Sequence, residues 1–218
     1  VIKMTIFPSP EISTIWLFIV LGLFFSLIGY SFNKLLIIAL NFFSSLSRIA
    51  FIFSGILAGI VIVIIGAYFP EMIGGGYRTI SQVLNQSFTL SVLIVLFVGR
   101  MLMSIFSYGT GVPGGIFAPM LAIGVVFGML FGSVVNYYFP DLVSHPGIFA
   151  VAGMAGILAS TVRAPLTGLV LAVEMTANYE LILPLIITTV TASVVTAQLG
   201  NEPIYTTLLK RTLAMEKS

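Results

Sequence analysis

The chain has 218 residues, 59% hydrophobic and 7% charged, with a formal net charge of +2. A soluble domain carries roughly 25% charged residues, so this chain cannot cover a water-facing surface and reads as an integral membrane protein. The small net charge gives no footing for nucleic acid. The absence of cysteine rules out disulfides, thiolate chemistry and cysteine-ligated metal, and the one histidine, His145, cannot build a zinc centre alone.

Residues 1–11 lack a basic region followed by an apolar core, so no cleavable signal is read there. They are assigned as an external linker. The chain does not start with methionine and is taken as a piece of something longer. A crossing needs about 20 apolar residues. Residues 12–40 are long enough to cross with tilt, interrupted by Asn33 and Lys34, which are expected at a bundle interior or near the end of the crossing. A second crossing covers 49–69 and ends at Phe69-Pro70. Residues 72–84 hold Gly74-Gly75-Gly76 and read as a loop with a short helix. A third crossing, 88–106, is broken by Arg100, which is expected to snorkel or bind loop carbonyls. A glycine-rich loop at 107–115 leads to a helix over 117–138, stopped at Phe139-Pro140-Asp141. Segments 147–160 and 165–176 are short for full crossings and read as a broken pair hinged at Arg163-Ala164-Pro165. A last crossing covers 181–199, and 203–213 opens on a proline. Lys210, Arg211 and Lys217 place the C-terminus on the cytoplasmic side, with Arg48; Asp141 and His145 are then external. The fold class is all-α, one membrane domain or part of one.

The most informative stretch is Gly111-Val-Pro-Gly-Gly-Ile-Phe-Ala-Pro119. A proline just inside an apolar run suits the first turn of a helix, where no intrahelical partner is lost. The N–H groups of Ile116 and Phe117 then sit unpaired at a helix start. At membrane depth that is tolerable where backbone lines a cavity or meets a ligand, and the positive end of a helix dipole prefers an anion. The alternative is a packing turn that needs small residues. Discontinuous helices meeting near mid-membrane are the usual architecture of transporter ion sites. Gly124, Gly128 and Gly132 recur every fourth residue and read as close helix packing. Thr188, Thr189, Thr191 and Ser193 are read as bonding back to their helix or across it.

Gly114-Gly115-Ile116-Phe117-Ala118-Pro119 resembles the G-x-F-x-P signature of the CLC family of chloride channels and chloride/proton antiporters. Two further segments carry the resemblance: Val162-Arg163-Ala164-Pro165-Leu166-Thr167-Gly168, followed by Glu174-Met175-Thr176 and Asn178-Tyr179, and Glu202-Pro203-Ile204-Tyr205. Order and spacing are similar to the bacterial antiporter branch across nearly the whole chain. The resemblance is to the second of the family's two inverted halves. The first-half signatures G-S-G-I-P and G-[RK]-E-G-P, which carry the central serine and the gating glutamate, do not occur in these residues.

The resemblance implies an anion site formed by the N–H groups of Ile116 and Phe117 and the hydroxyl of Tyr205, supported by Gly114, Gly115 and Pro119. Tyr205 read without it is as well an interfacial tyrosine, one of eight in the chain. Arg163 and Glu174 are intramembrane ionisable residues. They are read as structural, each capping or bonding backbone freed by the broken pair, with a proton relay through Glu174 as the sharper alternative. No catalytic residue, metal ligand or cofactor is implied; chloride is the ligand, and protons the coupled ion. Implied partners are the lipid bilayer, an N-terminal half bearing the serine and glutamate signatures, and a second copy. The homodimer would form through 165–176 and 181–199, with Ile182, Leu185, Ile186 and Val190 on its face. The implied location is a bacterial inner membrane. The implied function is chloride/proton exchange, with a passive chloride channel or a non-transporting structural half-subunit as alternatives. An enzyme is disfavoured: no His/Asp/Glu cluster has metal spacing, and no Ser–His pair lies near a glycine elbow.

Overall fold

Long apolar runs with few breakers become long helices. In the computed structural model, residues 7–111, 114–143 and 145–215 are described. Residues 1–6 of the expected external linker, Val112 and Pro113 of the glycine loop, Ser144 and the tail 216–218 lie outside the described residues. Among the described residues there is no strand. The helices are α1 (Ile15–Ser44), α2 (Arg48–Tyr68), α3 (Tyr77–Asn85), α4 (Leu90–Gly109), α5 (Phe117–Tyr138), α6 (Gly147–Thr161), α7 (Pro165–Thr176), α8 (Ile182–Gln198) and α9 (Ile204–Met215). Among the described residues, five helical stretches are long and apolar enough to cross a membrane: Ile12–Ser44, Ile49–Tyr68, Leu90–Gly109, Phe117–Tyr138 and Tyr179–Gln198. The pair α6 and α7 is shorter, as the break at 163–165 implies.

Two expected interruptions are not interruptions. α1 runs through Asn33 and Lys34 to Ser44 without a break. Asn33 is buried, whereas Lys34 faces outward with its ammonium 5.6 Å from the ring centre of Tyr30. α4 likewise passes through Arg100 unbroken, because that side chain finds its partners outside its own helix. A polar residue ends a helix only when it competes for that helix's backbone.

α6 is the centre of the bundle, with every one of its 15 residues buried. A helix that is apolar on all sides belongs inside. It packs against α1, α5, α7 and α8, most extensively against α5. The reason is the glycine stripe. A Cβ on Gly124, Gly128 or Gly132 would press within 3.0 Å of the carbonyl oxygens of Gly153, Phe149 and Pro146 on or just before α6. Gly153 returns the relation, facing the Gly124 carbonyl. Phe18 of α1 stacks on Phe149 of α6 at 4.7 Å between ring centres, filling the space beside this seam. Two of the four hydroxyls expected to bond back or across on α8 do so: Thr188 donates across to the Phe18 carbonyl at 3.3 Å, and Thr189 back to the Leu185 carbonyl at 2.8 Å.

α2 stands apart, and its main contacts are with α1 and with the 3-10 turn Pro70–Met72 that follows it. Its Ile52, Phe53, Leu57 and Val63 are exposed. On α8, Ile182, Ile186 and Val190 also face outward, but Leu185 does not: it is fully buried. The proposed dimer face therefore loses Leu185, which lies on the inward side of α8 with Thr188 and Thr189, where the helix meets α1 and α6.

The seam predicts a mutational outcome. Gly128→Leu would force α5 off α6, and overpacking of this kind costs about 1–3 kcal/mol. The expected result is a lower melting temperature in detergent, with an exposed control such as Val63→Leu unchanged.

Candidate functional site

The site is built where α4 ends and α5 begins. Gly111 takes a left-handed φ of 73°, which lets the chain leave α4, and its N–H donates to the Tyr108 carbonyl at 3.1 Å. Gly114 and Gly115 follow, both exposed, and Ile116 is buried at the N-cap of α5. The Ile116 carbonyl accepts from the Met120 N–H at 3.0 Å, the first bond of the helix. No side chain caps this end, and Pro119 has no N–H to satisfy. Among the described residues, none accepts from the N–H groups of Ile116, Phe117 and Ala118.

These groups border a cavity of about 490 Å³ lined by 114–119, by Met72 to Gly75, by Ile62 of α2 and by Ser104, Ser107 and Tyr108 of α4. No lining residue is charged. A Cβ on Gly115 would meet nothing within 4 Å, so the packing of this chain does not demand glycine there; the position opens into the cavity. The cavity pairs a helix N-terminus with neutral hydroxyls and an apolar wall, a combination suited to a small anion held without a full countercharge.

One wall is held in shape by Arg100, which is only 2% exposed. Its Nε donates to the Glu71 carbonyl at 2.6 Å, Nη2 to the Ile73 carbonyl at 3.1 Å and to Thr79 Oγ1 at 2.7 Å, and Nη1 reaches the Gly74 carbonyl at 3.5 Å. Thr79 Oγ1 in turn donates to the Glu71 carbonyl at 2.9 Å. The triple glycine allows this: Gly76 has a φ of 81°, and a Cβ there would collide with Ala122 and with the guanidinium itself. Of the two expected roles for Arg100, the geometry is that of binding loop carbonyls.

Gly114, Gly115, Ile116, Phe117 and Pro119 therefore share one wall, as the sequence reading groups them. Tyr205 is not on that wall. It lies at the start of α9, 44% exposed. Burial, with a smaller electrostatic contribution from Tyr108, raises its phenol above the ordinary value. Tyr108 lines the cavity, and Tyr205 stays a neutral donor at physiological pH. Arg163 and Glu174 do not meet. Arg163 Nη1 donates to the Asn201 carbonyl at 3.3 Å, backbone of the segment before α9 and not of the broken pair. Glu174 accepts no hydrogen bond among the described residues; with Leu166 and Val170 it forms the outward stripe of α7, opposite buried Gly168 and Ala172. The expectation that it bonds freed backbone fails because its side chain faces out of the bundle, away from any N–H group it could accept from. The sequence reading missed the α4 wall. Its signal was present, since Arg100, Ser104, Ser107 and Tyr108 follow the i, i+4, i+7, i+8 spacing of one helical face.

The family model described as voltage gated chloride channel (Voltage_CLC) matches residues 1–197. The chain belongs to the CLC family. It is 46% identical, over its full length, to a protein of Vibrio campbellii (strain ATCC BAA-1116) named H(+)/Cl(-) exchange transporter ClcA, of which it covers 47%. It is 38% identical over 96% of its length to the protein of the same name from Klebsiella pneumoniae (strain 342), covering 45% of that protein. It superposes on a slow cyanobacterial Cl-/H+ antiporter with a TM-score of 0.95 at 40% identity, covering all of this chain and 51% of that one. A eukaryotic CLC transporter shares the fold at a TM-score of 0.74 and 23% identity, over 92% of this chain and 35% of that one. The CLC chain thus spans about half the length of the curated relatives it matches.

Arg100 gives the testable consequence for this CLC wall. Arg100→Met would strand the Ile73 and Gly74 carbonyls, leave Glu71 to Thr79 alone and destabilise by on the order of 3 kcal/mol, and Arg100→Lys would not restore the fork of donors. Thermal unfolding in detergent is expected to rank wild type above Lys above Met.

Proposed function

We propose that this chain supplies the anion-coordinating half of a chloride/proton exchanger. The observation that carries the reading is the uncapped start of α5, whose Ile116 and Phe117 N–H groups border an uncharged cavity. The names of the relatives support chloride and protons as the exchanged ions. Amides present partial positive charge where an arginine would present a full one, so the ion is held strongly enough to shed water and weakly enough to leave. Tyr205 adds one neutral O–H donor from α9. Gly114 and Gly115 keep side chains out of the ion's way, and Pro119 ends the run of donors. The chemistry is coordination and gating, with no covalent step.

In this reading the proton-carrying and gating carboxylates come from the N-terminal half, and Arg163 and Glu174 are not proton carriers. The complete protein works as a homodimer in a bacterial inner membrane with its C-terminus in the cytoplasm. Exposed Ile182, Ile186 and Val190 support a protein-facing or lipid-facing surface on α8.

The complete protein reconstituted in liposomes is expected to shift its reversal potential with an imposed proton gradient; a reversal potential blind to that gradient would mark a passive channel instead. Tyr205→Phe is expected to weaken chloride binding about tenfold, the worth of one hydrogen bond to an ion, as read by calorimetry. Unchanged affinity would remove Tyr205 from the site.

A further inference from the structure

Tyr205 reaches its place through a segment with little packing of its own. Of residues 201–206 only Ile204 is buried, and α9 makes sparse backbone contact with the other helices. Side-chain tethers do the holding. Arg211 ties the far end of α9 to the end of α1, donating to the Leu40 carbonyl at 3.0 Å and to Ser44 Oγ at 2.8 Å. The near end, three residues before the tyrosine, is tied by Asn33. Its Nδ2 donates to the Glu202 carbonyl at 3.3 Å and, from the same nitrogen, to the Thr161 carbonyl at 3.0 Å. Arg163 adds its bond to the Asn201 carbonyl, also at 3.3 Å.

Asn33 is an odd residue to keep for packing. It is 3% exposed, in the middle of α1 between buried Phe32 and Leu36, and its Oδ1 is buried without a partner among the described residues. A leucine would fill the same volume without burying an unpaired Oδ1, but it would offer nothing to the Thr161 and Glu202 carbonyls. What only the asparagine provides is a donor facing two carbonyls that belong to different walls. Thr161 closes α6, the helix on which the glycine stripe seats α5 and its open amides. Glu202 leads into α9 and Tyr205. One amide group therefore sets the distance between the two.

We propose that Asn33 and Arg163 are positioning residues that fix the Tyr205 hydroxyl relative to the α5 amides, and so set chloride affinity without touching the ion. This rests on Tyr205 being a chloride ligand. The two residues can be separated from a merely structural role because their backbones differ. Asn33 is helical, whereas Arg163 holds a left-handed φ of 59°, which glycine adopts without strain.

The test is calorimetric chloride affinity and melting temperature of the complete exchanger carrying Asn33→Leu, Arg163→Gly, Tyr205→Phe, or Asn33→Leu with Tyr205→Phe. Asn33→Leu and Arg163→Gly are each expected to lower affinity about three- to tenfold, the range for one lost hydrogen bond. Arg163→Gly is expected to do so with no fall in melting temperature. The double variant is expected to bind no more weakly than Tyr205→Phe alone. If Tyr205→Phe weakens binding while Asn33→Leu and Arg163→Gly do not, the positioning role falls and the ligand role stands. If Tyr205→Phe has no effect, the ligand role falls and this inference with it. Additive losses in the double variant also overturn it. Should Asn33→Leu not fold, Arg163→Gly decides, since a melting temperature that holds with unchanged affinity refutes the role.

Discussion

Wherever a helix stops inside an apolar bundle, it leaves carbonyls and N–H groups that water cannot reach, and each must find a partner. This chain stops its helices repeatedly and meets the obligation with few polar residues. Arg100 serves the carbonyls of Glu71, Ile73 and Gly74, Asn33 those of Thr161 and Glu202, and Asn178 that of Thr176. Asn178 also accepts from the Phe7 N–H at 2.7 Å, pinning the start of the described chain to the α7–α8 turn. These carbonyls are thus partnered from within. Among the described residues, no side chain caps the start of α5 or of several other helices; what sets α5 apart is that its free N–H groups border the cavity.

The rigid frame around that end comes from the α5–α6 seam. Gly124, Gly128 and Gly132 bring the two backbones together, and α6 is itself enclosed by α1, α7 and α8. The open amides are therefore fixed to the best-packed part of the molecule, while the tyrosine is carried by a helix held mainly through side chains. Precision is unevenly shared between the two walls.

Most of this was legible beforehand, for identifiable reasons. Hydropathy located the crossings because few residues interrupt them, and the pairing of proline with glycine located the loop before α5. The small-residue stripe announced helix contact. Asn33 and Arg100 look like breaks for one reason: a one-dimensional pattern cannot show where a polar side chain ends, and both reach across to other segments. Leu185 was placed outside because α8 is apolar on nearly every side, so composition did not say which face turns inward. Glu174 bonds no freed backbone because it lies on the outward stripe of α7, a face that composition does not reveal.

The donors at the head of α5 are main-chain atoms. Replacing the side chains of Ile116 and Phe117 reshapes the cavity but leaves every one of those donors in place. An alanine scan therefore leaves the donors themselves untested. Proline, which has no N–H, removes one but adds a ring; an amide-to-ester exchange, which swaps the nitrogen for oxygen, erases the group and keeps the side chain.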